Sequence, residues 1–211
     1  MAAERRRGRQ KAVSDLKRGL ILDAARKVFE AEGLDGASLR AIAAAAGYTP
    51  AALYFHFESK EAIYADVLRA SLANLGQAVE RASQRARTPA DRLREAAMAF
   101  FRYYADNPRD LDLGFYLFRG GMKPHGLGKE RDEILNAALE AALNPISEAA
   151  QILGARREEA RLLMVETFAH AAGLLLLAHT GRMRMFGASA PNLMERFIAS
   201  AIVTLVEKQK R

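Results

Sequence analysis

Residues 38–60 hold the side chains best suited to gripping a polyanion: Ser38, Arg40, Thr49, Tyr54, His56 and Lys60. Hydroxyls, a phenol, an imidazole and cations at short intervals are all donors for phosphate oxygens. Arg40 carries a planar fork that matches the major-groove edge of guanine, and a phosphate equally well. Tyr48 lies beside the edge Pro50-Ala51-Ala52, whose small side chains permit close approach to bases. Lys60 opens a helix, where the dipole disfavours a cation. Either a phosphate occupies that spot, attracted by helix and lysine together, or Lys60 is a solvated surface cation.

Short helices must position these groups. Ser38 is an N-cap for a helix in which Leu39, Ile42, Ala43 and Ala46 recur at one-face spacing. Gly47 follows where a left-handed C′ residue is needed. Thr49 caps the next helix, Pro50 takes its first position, and Leu53 and Phe57 face inward as anchors. Ser59 caps a third helix. Helix, glycine turn and blunt second helix are how a helix-turn-helix is written, a unit that presses its second helix into a DNA major groove. Upstream, Leu20, Ile21, Ala24, Ala25, Val28 and Phe29 repeat at helical spacing, and Gly33 closes that helix. Residues 14–60 are therefore expected to form three packed helices, with a fourth following.

This stretch resembles the N-terminal domain of the TetR family of transcriptional regulators. The resemblance is carried by Ala25, Phe29, Gly33, Ser38, Ile42, Ala43, Gly47, Thr49, Leu53, Tyr54, His56, Phe57 and Lys60. It covers about the first 60 to 70 residues; beyond them only length and helical character match. Phe55 departs from it, standing where the family often has a phenol that reaches a phosphate. The resemblance implies an all-α chain: an N-terminal three-helix helix-turn-helix domain (14–60) and a larger helical domain for effector binding and dimerisation (61–211). It also implies double-stranded palindromic operator DNA, a homodimer and a small-molecule effector as partners.

Composition fits a nucleic-acid partner. Half of the 211 residues are apolar, enough for a sizeable core, and the formal net charge is +7 with a pI near 9.9. Arg5, Arg6, Arg7, Arg9, Lys11, Lys17 and Arg18 face only Glu4 and Asp15 near the start. Residues 1–13 read as a disordered basic arm, either a minor-groove contact or a solubilising tail. No apolar segment follows the basic start, so no secretory signal is read. The apolar run Phe168–Ala178 falls short of the roughly 20 residues that span a bilayer. The absence of cysteine excludes disulfides and fits a cytoplasmic protein.

Past residue 60 the chain reads as further helices. Thr88-Pro89-Ala90-Asp91 and Asn107-Pro108-Arg109-Asp110 each open one, the glycine-rich stretch 119–129 is a loop, and Pro145 is expected to kink or break a helix ending at Gly154. Ala169, Ala172, Gly173 and Leu176 form a stripe, and Ile198, Ile202 and Leu205 form another on the last helix. Two such helices from each of two subunits make a four-helix dimer bundle; alternatively both faces are spent within one subunit. Phe100, Phe101, Tyr103, Tyr104, Phe115, Tyr116 and Phe118 crowd one region, either ordinary core or walls of a pocket. By the resemblance they line an effector pocket together with Phe168 and His170. Glu166 and His170 share a face, but two ligands are not a metal site. No nucleophile–base set or cofactor motif is visible, so no cofactor is expected. The expected function is a sequence-specific DNA-binding regulator, a repressor released by a small apolar or aromatic effector. The alternatives are a ligand-independent regulator or DNA-organising protein and, more remotely, a helical enzyme built on the aromatic cavity.

Overall fold

A computed structural model describes residues 1–114 and 126–209. Every regular element among them is helical. The order is α1 (Ala2–Gly36), α2 (Leu39–Ala46), α3 (Pro50–Tyr54), α4 (Lys60–Arg85), α5 (Pro89–Asp106), α6 (Pro108–Gly114), α7 (Lys129–Ile152), α8 (Arg157–His179), a 3-10 turn (Arg182–Phe186) and α9 (Ala190–Gln209).

Two compact units result. One combines Met1–Ala70 with Arg109–Leu135, the other Ser71–Pro108 with Asn136–Arg211. The first therefore extends beyond the expected boundary at residue 60 and recruits a later segment. Side-chain chemistry explains the recruitment. Asp110 of α6, 2% exposed, pairs with Arg26 of α1, and Arg109 reaches Glu30 at 2.9 Å. The Tyr64 hydroxyl donates to the Leu113 carbonyl at 2.8 Å, and Arg131 of α7 pairs with Glu58. Burial on its own would lower the Arg26 pKa. Asp110 and then Glu30 outweigh it, and the guanidinium is held above its ordinary value.

The core of this first unit is Ile21, Ala25, Phe29, Ile42, Leu53, Phe57 and Ile63, with Tyr64 edge-on to Phe29 at 4.8 Å. Gly33 interrupts α1 at φ +72°, at the expected helix end. The N-terminal arm differs from expectation: α1 is helical from Ala2, with residues 5–17 exposed. Alanine, arginine, lysine and glutamine are strong helix formers, so the arm propagates a helix already nucleated by packing downstream.

In the second unit α5, α8 and α9 pack on one another. Ala142 of α7 lies 3.5 Å from where a Cβ on Gly76 of α4 would stand, so the glycine permits close helix approach. Helix α7 runs unbroken through Pro145. The carbonyl deprived of its partner belongs to Ala141, an exposed residue that water can reach. Helix α7 ends at Gly154 (φ +89°), where the Ala155 amide donates back to the Ala150 carbonyl at 3.0 Å. Helix α8 has the length and apolarity to cross a bilayer, which the shorter run Phe168–Ala178 did not suggest. Here it is packed on one side by α5 and α9.

Candidate nucleic-acid interface

The geometry of residues 38–60 is built by caps. Ser38 Oγ accepts from the Ala41 amide at 3.1 Å, Thr49 Oγ1 from Ala52 at 3.2 Å and Ser59 Oγ from Ala62 at 3.1 Å. Between α2 and α3, Gly47 is left-handed at φ +71°. The amides of Gly47 and Tyr48 donate back to Ala44 at 3.2 Å and Ala43 at 2.9 Å, which closes α2 and turns the chain. Helix α3 has five residues, fixed by buried Leu53 within it and Phe57 just after.

These constraints leave one polar, open face. Arg40, Thr49, Pro50 and Ala51 are exposed, Tyr54 is 60% exposed and Phe55 89%. Tyr48, Ala52 and His56 are half-buried. Lys60 is also half-buried, and its ammonium donates to the Ala37 carbonyl at 3.1 Å. Ala37 directly precedes the α2 cap, so Lys60 is tethered beside the N-terminus of α2. That resolves the choice for Lys60 in one respect: it is not a freely solvated side chain.

The arrangement is a helix-turn-helix, and residues 21–67 match the model for bacterial regulatory proteins of the tetR family. Those residues form a tetR-family DNA-binding region. The chain is similar to the HTH-type transcriptional repressor NicS of Pseudomonas putida, 29% identical over 156 residues that cover 74% of this chain and 73% of NicS. It is also similar to the HTH-type transcriptional activator FasR of Mycolicibacterium smegmatis, 38% identical over 89 residues, 42% of this chain and 41% of FasR. Its fold is shared with the transcriptional regulator FadR from Bacillus subtilis, solved in complex with stearoyl-CoA: TM-score 0.64 at 19% identity, over 89% of this chain and 97% of that one. Residues 21–67 of the first unit thus match the DNA-binding region of tetR-family transcriptional regulators.

Arg18, counted above among the cations near the start, has a different place in the first unit. Its Nη1 donates to the His56 carbonyl at 2.7 Å, its guanidinium lies 4.2 Å from the centre of the Phe57 ring, and it pairs with Asp66. It clamps the chain immediately after α3. Charge counting could not separate it from its neighbour Lys17. The signal was its phase: Arg18 lies on the same side of α1 as Ile21 and Ala25.

The other expected sites fall in the second unit, except that Phe115, Tyr116 and Phe118 lie outside the described residues. Phe100, Phe101 and Tyr104 are buried. Phe100 meets Tyr104 and Phe168 edge-on, with centroids 5.3 and 5.9 Å apart. His170 stacks on Phe197 at 4.4 Å, and its Nε2 is buried without a hydrogen-bond partner. The two apolar stripes separate. Ile198, Ile202 and Leu205 are buried within their own protomer, where α9 packs on α5 and α8. Ala169 and Gly173 are exposed, Ala172 is half-buried and Leu176 is 63% exposed. Leu162, Val165 and, on α9, Val203 are also open.

Proposed function

We propose that the protein is a cytoplasmic, homodimeric repressor that binds a palindromic operator through α2–α4 and releases it when a small apolar or aromatic effector enters the second unit. The observation that carries the DNA part is the joint placement of the capped α2 and α3 N-termini with Lys60 tethered beside the first. Backbone amides and one cation then face the same phosphates. Ser38, Thr49, Tyr54, His56 and Lys60 hold the backbone. Arg40, Tyr48 and the Pro50-Ala51-Ala52 edge meet the bases.

Dimerisation uses the open face of α8. Leu162, Val165, Ala169, Gly173 and Leu176 recur at helical steps, and Val203 of α9 joins them. Small residues let two copies of the helix approach closely, and a two-fold dimer suits a palindrome. Ile198, Ile202 and Leu205 support this face from behind. Leu176→Glu leaves the protomer core untouched, so sedimentation should show a folded monomer; a variant still dimeric would place the interface elsewhere.

The effector part rests on the aromatic cluster and on the stearoyl-CoA held by FadR, a protein of the same fold. An apolar effector would contact Phe100, Tyr104, Phe168 and His170, with Phe115, Tyr116 and Phe118 as further candidates. The close ring packing of Phe100 with Tyr104 and Phe168 favours a second reading, a regulator without effector. One experiment separates them. Anisotropy with a palindrome from the upstream region measures operator binding, repeated with apolar compounds found by thermal shift. An effector and its operator must weaken each other by the same factor, about 5–150-fold. A compound that binds the second unit equally well with and without operator supports the second reading. Operator affinity equal to that for random DNA at every salt concentration overturns both.

A further inference from the structure

The head unit contains a cleft of about 160 Å³ between α1, α4 and the first turns of α7, lined by none of the residues assigned to DNA. Its walls combine three guanidiniums, Arg18, Arg69 and Arg131, with a single carboxylate, Asp66, above an apolar surface that includes Ala62 and Ile134. Asp66 is already engaged: it pairs with Arg18 and accepts from Arg69 at 3.2 Å. Arg131 is held differently. Its carboxylate partner, Glu58, is 73% exposed and does not line the cleft. An ion pair of that kind contributes little and exchanges readily.

We propose that this cleft is a small-molecule site for an aromatic monocarboxylate about the size of benzoate. The carboxylate exchanges for Glu58 on Arg131, and the ring lies against Ala62 and Ile134. The guanidinium fork matches a planar carboxylate through two parallel hydrogen bonds. Size sets the rest of the ligand: an apolar cavity of about 150 Å³ holds benzene. Inorganic phosphate would satisfy the cation but leave the apolar wall bare. A neutral aromatic would fill the wall but leave Arg131 to Glu58. Ile134 fits this role, as a large aliphatic side chain half open to water at the rim. Arg18 lines the cleft and also holds the His56 carbonyl, so an occupant stands one side chain from the DNA-facing helix.

The test is titration of the full-length protein with sodium benzoate, followed by calorimetry and by amide chemical shifts. Saturable binding is expected, with the largest shifts at the amides of residues 62–69 and 131–135. Benzyl alcohol and inorganic phosphate should each bind at least tenfold more weakly. Arg131→Gln should lower benzoate affinity at least tenfold while the protein stays folded, with a shift in melting temperature of no more than about 2–4 °C. Ala62→Leu, which fills the cleft, should abolish binding; if that variant does not fold, Arg131→Gln alone decides. Absence of saturation by about 10 mM overturns the proposal. So does equal binding to wild type and Arg131→Gln, or shifts clustered in α5 and α8. The last result would place benzoate at the effector cluster and leave the proposed function standing.

Discussion

Two neighbouring cations should fail in different ways when removed. Lys17 is exposed on α1, whereas Arg18 is tied to His56, Phe57 and Asp66. A hydrogen bond from a charged donor contributes about 1.5–3 kcal/mol. The contact with the Phe57 ring adds about 0.5–1 kcal/mol, and the partly exposed pair with Asp66 up to about 1 kcal/mol. These contacts share one side chain and do not add fully, so Arg18→Ala should cost about 2–4 kcal/mol. In a chain of this length each kcal/mol moves the melting temperature by about 2–4 °C. Operator affinity should fall at all salt concentrations, because His56 and Tyr54 lose their alignment, but the slope of log affinity against log salt should not change. Lys17→Ala should do the reverse. If Lys17 reaches a phosphate, a dimer loses two contacts and the slope falls by about 1.8, with stability unaltered. Thermal unfolding and salt-series anisotropy on both variants decide the matter. An Arg18→Ala variant with unchanged melting temperature and a flattened salt slope would refute the clamp.

Other substitutions test separate parts of the fold. Gly47→Ala meets no atom within 4 Å of the new Cβ, so its cost is backbone strain at φ +71° alone, about 1–2 kcal/mol, and Gly47→Asn should cost less. Equal melting temperatures for the glycine and alanine forms would remove strain from the account of the turn. Asp110→Asn leaves Arg26 with Glu30 at 3.1 Å in reserve, so we expect a loss of about 1–3 kcal/mol rather than the full cost of breaking a buried pair; a loss below about 0.5 kcal/mol would mean Glu30 suffices. Glu159 accepts from the Arg156 side chain and backbone, which lowers its pKa from 4.5 to about 2. A lowered carboxylate pKa contributes stability above the ordinary value, lost as pH falls from about 4.5 toward 2. The melting-temperature difference between wild type and Glu159→Gln should therefore be constant at neutral pH and vanish in acid. A difference undiminished at pH 2 would contradict it.

Much of the head was legible because its signals are local. Ser38, Thr49, Ser59 and Thr88 each cap the helix expected of them, since the side chain bonds an amide three residues on and needs no tertiary context. Gly47 was legible for a similar reason. Charges were less so. Whether an arginine at a helix face points to water or to a carbonyl depends on partners far along the chain: Arg18 meets residue 56, and Arg26 meets residue 110. The same non-local pairing carries α6 and the start of α7 into the first unit. Pro145 does not break α7, because the loss of one hydrogen bond matters little when the orphaned carbonyl can be hydrated. Among the apolar stripes, spacing gave a face but not what covers it. Ile198, Ile202 and Leu205 are covered within the protomer, whereas Leu176 is not.

The brevity of α3 has an evolutionary consequence. Leu53 and Phe57 are its two deep anchors, and Pro50, Ala51, Tyr54 and Phe55 have little role in holding the core. If the proposed contacts hold, recognition and foldability are encoded by nearly disjoint residues. Substitutions at the open positions can drift through many operator preferences while the scaffold stays intact, because exposed substitutions usually move stability by less than about 0.5 kcal/mol. A saturation library over positions 40 and 51, both exposed and both assigned to the bases, should consist mostly of folded proteins that differ in the sequences they bind. Duplicated copies of such a chain could acquire new genetic addresses without first acquiring new stability.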